Sequence, residues 1–435
     1  MKKHIQTRLL RNDSFFILAL CAVLIAGCGG GGGGTTPPAT TTPSGDMFLL
    51  VTEPAQSGGV YNTASVTVQG QALAGSTVTV NGAVVTLDAY GSFSKSVALS
   101  TTSNPTTITV AGTGGGSTYT VARQVYYQDP SRCTLVYAAK DPTSGRDRIY
   151  DYDPAIPGSA RAVSPDTANA VDSAPALSPD RKVVLFVRDI NGSQSIVKVS
   201  CANSSVNYAI ASGAHYSAPT WSKDGFNVAF ASDASGNYEI YLMSNDGAGI
   251  RRVTTHAGLD DAPAFTADGA TLVFSSNRVV TGGAGVAQKF NIWKVAVIPT
   301  TGTASLLYNA AAGQGPTCPQ GAGNCSALNP DLNASNQLVF QFESICSATA
   351  GGTSPPATTC NDLYTMPMNT PTSVTRIDWS AGNYYTHPHW NAAGDTVAFL
   401  RTTTSGTAAM QVPITGGAPG AISEIGVANC SGPDW

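Results

Sequence analysis

The chemistry-bearing residues of this chain are sparse, and the densest group is His387-Pro388-His389. Side chains two apart on a strand share a face, so both imidazoles are expected to point the same way. Two imidazoles with flanking carboxylates have the donor types to hold Mn²⁺, Zn²⁺ or Ca²⁺. The repeats described below bring Asp331 and Asp434 to equivalent positions, which makes His387, His389, Asp331 and Asp434 the candidate metal set. The plainer reading is that His389 and the two carboxylates hydrogen-bond to water or to neighbouring strands, as buried polar groups must. No G-x-S-x-G elbow, H-E-x-x-H helix or phosphate-binding G-x-x-x-x-G-K-[ST] loop accompanies them. No cofactor is therefore expected beyond a divalent metal at the histidines.

The elements that must position these residues are read from repeats. A shared proline recurs at Pro175, Pro219, Pro263, Pro330, Pro388 and Pro433, with gaps of 44, 44, 67, 58 and 45 residues. Each unit reads as four short strands separated by Asp/Asn/Gly turns, and a unit of this kind is one blade of a propeller. Gly432-Pro433-Asp434-Trp435 is an inner strand without a remainder, while residues 133–164 are a remainder without an inner strand. Joining them predicts a sixth blade and a closed ring. The residue after each proline then samples the channel: Ala176, Thr220, Ala264, Asp331, His389 and Asp434. Trp221, Trp390 and Trp435 recur at one repeat position and read as core.

Ser178-Pro179-Asp180, Asp224-Gly225, Asp268-Gly269, Glu239-Ile240-Tyr241 and Asn291-Ile292-Trp293 carry a resemblance to the TolB-like β-propeller family over about 300 residues. The resemblance implies a six-bladed propeller over residues 131–435 that binds a protein, a peptide or a glycan through its face and channel. His387-Pro388-His389 also resembles the inner-strand metal histidines of oligogalacturonate lyases, from which this chain departs by having Tyr384 and Tyr385 where a glutamine is expected. Serine peptidases of the prolyl-oligopeptidase type carry similar repeats, but no hydrolase domain follows the repeats here.

Residues 47–127 alternate β-branched runs with turn signals, and Asn81-Gly82 is a two-residue hairpin signal. Short strands at this density predict a sandwich. The stretch from Gly75 to Leu99 resembles bacterial Ig-like modules, which implies a spacer or a binding role.

Lys2, Lys3, Arg8 and Arg11 precede an apolar run of 13 residues, Phe15 to Gly27. That run is shorter than the roughly 20 residues a spanning helix needs, so residues 1–27 read as a signal peptide. Ile25-Ala26-Gly27-Cys28 resembles the lipobox of bacterial lipoproteins, which implies lipidation of Cys28 and, with Gly29 following, sorting to the outer membrane. Residues 28–46, six glycines and a Thr/Pro stretch after the cysteine, are a tether.

Only 11% of residues are charged, and the net charge is −4. A chain without clustered Lys and Arg is not a nucleic-acid binder. Besides Cys21 and Cys28 there are Cys133, Cys201, Cys318, Cys325, Cys346, Cys360 and Cys430, with no C-x-x-C pair. Export favours disulfides. Strand direction puts Cys133 and Cys201 on one face, where they are expected to pair, and the other five on the opposite face. The chain thus reads as all-β: a lipid-anchored envelope module, facing the periplasm or the cell surface, that binds an envelope protein or peptide or a cell-wall or extracellular glycan. The alternatives are a metal-dependent polysaccharide lyase or hydrolase using His387 and His389, and a purely structural envelope protein.

Overall fold

The computed structural model describes residues 47–101, 103–280, 289–297, 302–310, 325–346, 358–378, 384–403, 405–415, 418–419, 423–428 and 430–434. For residues 344–346, 358–360 and 415–434 this description covers the backbone alone. The expectations for Cys28, the tether, Cys318 and Trp435 lie outside it, as do those for the side chains of Cys346, Cys360, Cys430 and Asp434. Among the described residues every regular element is a strand.

Residues 49–127 form two sheets packed face to face. One has the order Leu49–Glu53, Ser65–Ala72, Ser92–Ala98; the other joins Gly59–Tyr61, Ser117–Tyr127, Thr106–Gly114, Thr77–Val80 and Ala83–Val85. The period-two pattern does the work expected of it. Along Ser65–Ala72 the side chains of Val66, Val68 and Ala72 are buried, while Ser65, Thr67 and Gln69 are exposed. The inward residues meet Val78, Val80, Ile108, Val110 and Val125 of the facing sheet in one apolar core. Asn81 and Gly82 take positive φ of 51° and 79°, the geometry of a tight hairpin. Asn81 also accepts the Thr109 N–H through Oδ1 at 2.8 Å, which fastens the turn to the next strand.

Among the described residues beyond 130 the strands form four sheets of four and one of nine, and the nine-stranded sheet divides into two antiparallel groups, so six strand groups follow one another. Ala170–Leu177, Val183–Ile190, Ser193–Ser200 and Asn203–Ser212 are one. Tyr216–Trp221, Asn227–Ser232, Glu239–Ser244 and Arg251–Arg252 follow, then Asp260–Phe265, Thr271–Ser276, Asn291–Ala296 and Ser305–Tyr308. Ser326–Leu332 and Tyr384–Trp390 begin the next two groups, which share a single parallel pairing, Asn361 with Tyr384. In the remaining sheet, Cys430–Asp434 pairs antiparallel with Leu135–Lys140, which in turn pairs with Asp147–Tyr152. The chain's last described strand therefore completes the sheet that its first repeat strands begin. The second strands, such as Val183–Ile190 and Asn227–Ser232, are buried on both faces because each sheet is covered by its neighbours.

Two local devices recur and shape the centre. Each first strand slips register at its proline, between Ser173 and Ala176, Ser217 and Thr220, Asp261 and Ala264, Leu328 and Asp331, Thr386 and His389, and Ser431 and Asp434. This is a β-bulge in every first strand. The residue before the proline takes a left-handed φ in five of them: Ala174 (47°), Ala218 (43°), Ala262 (51°), Asn329 (50°) and His387 (51°). A following proline keeps that residue out of the helical region, and a left-handed non-glycine residue costs about 1 kcal/mol or more. The second device is the turn into the second strand. Ser178, Ser222 and Thr266 each donate a hydroxyl to the aspartate two residues on, at 2.7, 2.5 and 2.6 Å, and the turn closes through a left-handed residue.

Candidate functional site

The first strands converge on a cavity of about 360 Å³. Its wall is built by the residues on either side of each bulged proline: Ala174 and Ala176, Ala218 and Thr220, Ala262 and Ala264, Asn329 and Asp331, His387 and His389. Half of the wall is methyl groups with the Thr220 hydroxyl, and the other half is amide, carboxylate and imidazole. The lining continues from the bulges to the turns into the second strands, where Ser178, Arg181, Lys223, Asn333 and Asn391 form the rim.

The sequence reading placed Ala176, Thr220, Ala264, Asp331 and His389 around the channel, and all of them line the cavity. Of the residues before the prolines only His387 is marked by the sequence; Ala174, Ala218, Ala262 and Asn329, and Arg181 and Lys223 at the rim, are not. The available signal was the run of alanine, asparagine and histidine before the prolines. His387 and His389 both face the cavity, but not because two residues on a regular strand share a face. The bulge between Thr386 and His389 interrupts the alternation, and His387 reaches the wall through its left-handed backbone.

His387 is exposed and lines the cavity. Desolvation pushes its imidazole down to about 4, and His389 adds to the effect. Charging His387 at neutral pH is therefore unfavourable, as expected where a charge loses hydration beside another imidazole. Asp331 is occupied with the backbone. Its Oδ1 accepts the Leu332 N–H and its Oδ2 the Trp390 N–H, each at 2.8 Å, while His389 Nδ1 stands 3.8 Å from Oδ2. Trp221 and Trp390 are 7% and 4% exposed, in core positions as expected.

Among the described residues no three His, Cys, Asp or Glu groups stand together as a metal site. Of the candidate set, the Asp331 carboxylate already accepts two N–H donors, which leaves His387 and His389 as the ring donors on this wall.

Cys133 and Cys201 are joined by a disulfide, S–S 2.10 Å, which links the start of the repeat region to its neighbouring sheet. Arg181 lies beside it: Cys133 N–H donates to the Arg181 carbonyl at 2.8 Å, and Arg181 Nε donates to the Cys133 carbonyl at 2.9 Å. The bridge is thus at the rim end of the cavity. Cys325 is also disulfide-bonded.

Bulged strands radiating from a lined central cavity define a β-propeller. Residues 174–293 match the family model for the TolB beta propeller domain, so the propeller of this chain is TolB-like. The fold is similar to that of TolB from Acinetobacter baumannii, at 16% identity and a TM-score of 0.52 over 78% of this chain and 81% of that one. A putative TolB from Agrobacterium tumefaciens matches at 17% identity, TM-score 0.46, over 69% and 91% of the two chains. A Mycobacterium tuberculosis puromycin-hydrolyzing peptidase matches at 14% identity, TM-score 0.41, over 85% of this chain and 53% of that one. No curated protein sequence matches the chain.

Proposed function

We propose that this protein is a binding and scaffold module of the cell envelope whose propeller cavity takes an extended protein or peptide segment. The observation that carries this reading is the ring of strained bulges. Left-handed residues before proline are costly, and strain of this kind clusters where a surface is shaped for a ligand. Here it recurs in five first strands and turns short side chains toward a cavity of about 360 Å³. That volume suits a few extended residues and excludes a folded domain. The six strand groups are read as one closed ring, with Cys430–Asp434 as its fastener.

In the same reading, the two-sheet unit of residues 47–127 is an Ig-like spacer, residues 28–46 are a tether, and Cys28 carries lipid that holds the protein at the outer membrane. Photo-crosslinking from Thr220 in cells tests the binding role. A protein adduct formed from Thr220 and absent from the exposed sandwich position Ser96 is expected, and equal labelling from both sites sinks the reading. Labelled palmitate should enter the wild type and not Cys28→Ser.

A further inference from the structure

The rim of the cavity carries cations that form no close ion pair among the described residues, with Asp129, Asp151, Asp153 and Asp180 near enough to feel their charge, although the chain as a whole is acidic, with a net charge of −4. Arg181 and Lys223 line it, and Arg132 and Lys182 stand beside Arg181 and Asp180. Among the described residues none of these four forms an ion pair.

The reason lies in the turn chemistry. Asp180 faces back into its own turn, accepting the Ser178 hydroxyl at 2.7 Å and the Lys182 N–H at 3.1 Å. Asp224 does the same with Ser222 and the Phe226 N–H. Within the cavity, Asp331 is committed to Leu332 and Trp390. The carboxylates thus serve as turn and strand acceptors, and the cationic heads are left to the rim.

Arg181 is the clearest departure from the repeat. The left-handed turn position is glycine at Gly225, Gly269 and Gly394 and asparagine at Asn336, residues that tolerate positive φ. Arginine stands there in the remaining turn with φ 63°. Its guanidinium donates to the carbonyls of Cys133 and Thr134 at 2.9 and 3.0 Å, so it is fixed at the rim by carbonyls, with Asp151 and Asp153 acting on its charge only from beyond ion-pair distance.

We propose that the rim selects acidic chains: the segment that enters the cavity carries carboxylates beside or at its inserted end, and Arg181, Lys223, Lys182 and Arg132 meet them. This inference rests on the peptide-binding reading above and adds its charge and its side of entry. Charge complementarity at such a rim governs which partners are admitted and how fast they associate, and the mixed methyl and polar wall then accepts the backbone.

The test is fluorescence anisotropy of the whole protein with short fluorescein-labelled Gly/Ser peptides carrying glutamates, serines or lysines. The glutamate peptide should bind tightest and weaken with salt. The triple charge reversal Arg132→Glu/Lys182→Glu/Lys223→Glu should weaken it by about tenfold or more, equivalent to roughly 1.4 kcal/mol. These three side chains are exposed, and an unchanged melting curve confirms that the variant is folded. If serine and glutamate peptides bind equally and the reversal changes neither, the charge inference fails while peptide binding stands. If no peptide binds, the underlying reading fails with it. Binding of labelled oligogalacturonate where no peptide binds would overturn the proposal in favour of an acidic glycan.

Discussion

The Asp331 carboxylate crosses from its own sheet to accept the backbone N–H of Trp390, 59 residues further along, at 2.8 Å. This bond joins two first strands of the propeller at the cavity wall, and it uses a side chain whose repeat equivalents are Ala176, Thr220 and Ala264. Removing it leaves a buried N–H without an acceptor. Asp331→Ala should therefore destabilise the propeller by about 1–3 kcal/mol, and Asp331→Asn by less, as read by urea unfolding. An alanine variant as stable as wild type would show that the bond contributes nothing.

The Cys133–Cys201 bridge closes a span of 68 residues around the first repeat sheet. Disulfides of this kind typically contribute about 2–4 kcal/mol. Replacing both cysteines by serine should lower the propeller melting temperature without changing the sandwich. Peptide mapping of the native protein should recover the two cysteines as one cross-linked pair.

His387 makes stability fall in acid. Its imidazole is pushed down from 6.5 to about 4 in the folded protein, so between those values the unfolded chain binds more protons than the folded one. Stability then rises with pH through this window, being full above 6.5 and declining toward 4. His387→Gln should flatten that part of the urea midpoint against pH. His389 adds to the lowering of His387, so the profile of His387→Gln/His389→Gln is compared with that of the single variant. An unaltered profile in both variants would show that the ring is not desolvated.

Gly70 has no room for a side chain: a Cβ there would overlap the Leu50 carbonyl and the Phe93 ring. Gly70→Ala should destabilise the sandwich by about 1–3 kcal/mol through overpacking. If residues 47–127 fold as their own unit, only one of the two transitions in a melting curve should move. A shift of the propeller transition by the same amount would make the two units one cooperative block.

Much of this architecture was legible as text. The recurring prolines and Asp-Gly turns marked the repeats, because a first strand needs its bulge and each turn needs a left-handed residue. Spacing alone located Ala176, Thr220, Ala264, Asp331 and His389 around one cavity. The alternation in Ser65–Ala72 and the Asn81-Gly82 turn marked the sandwich, since pleat and tight turn each impose a short-range rule on residue type.

What the chain carried locally was therefore repeat length, strand identity, turn type and the ring of residues after the prolines, all governed by backbone conformation within a few residues. Tertiary structure decided the rest. The bulges turned the residues before the prolines, His387 among them, toward the cavity, which strict alternation along a strand does not anticipate. It also engaged Asp331 with Trp390 and left Arg181 and Lys223 without a carboxylate at ion-pair distance among the described residues. Hydrogen bonds and charges of this kind form between groups 45 to 60 residues apart in sequence, such as Trp221 with Ala176 and Asp331 with Trp390, and no local pattern encodes which acceptor a donor will meet.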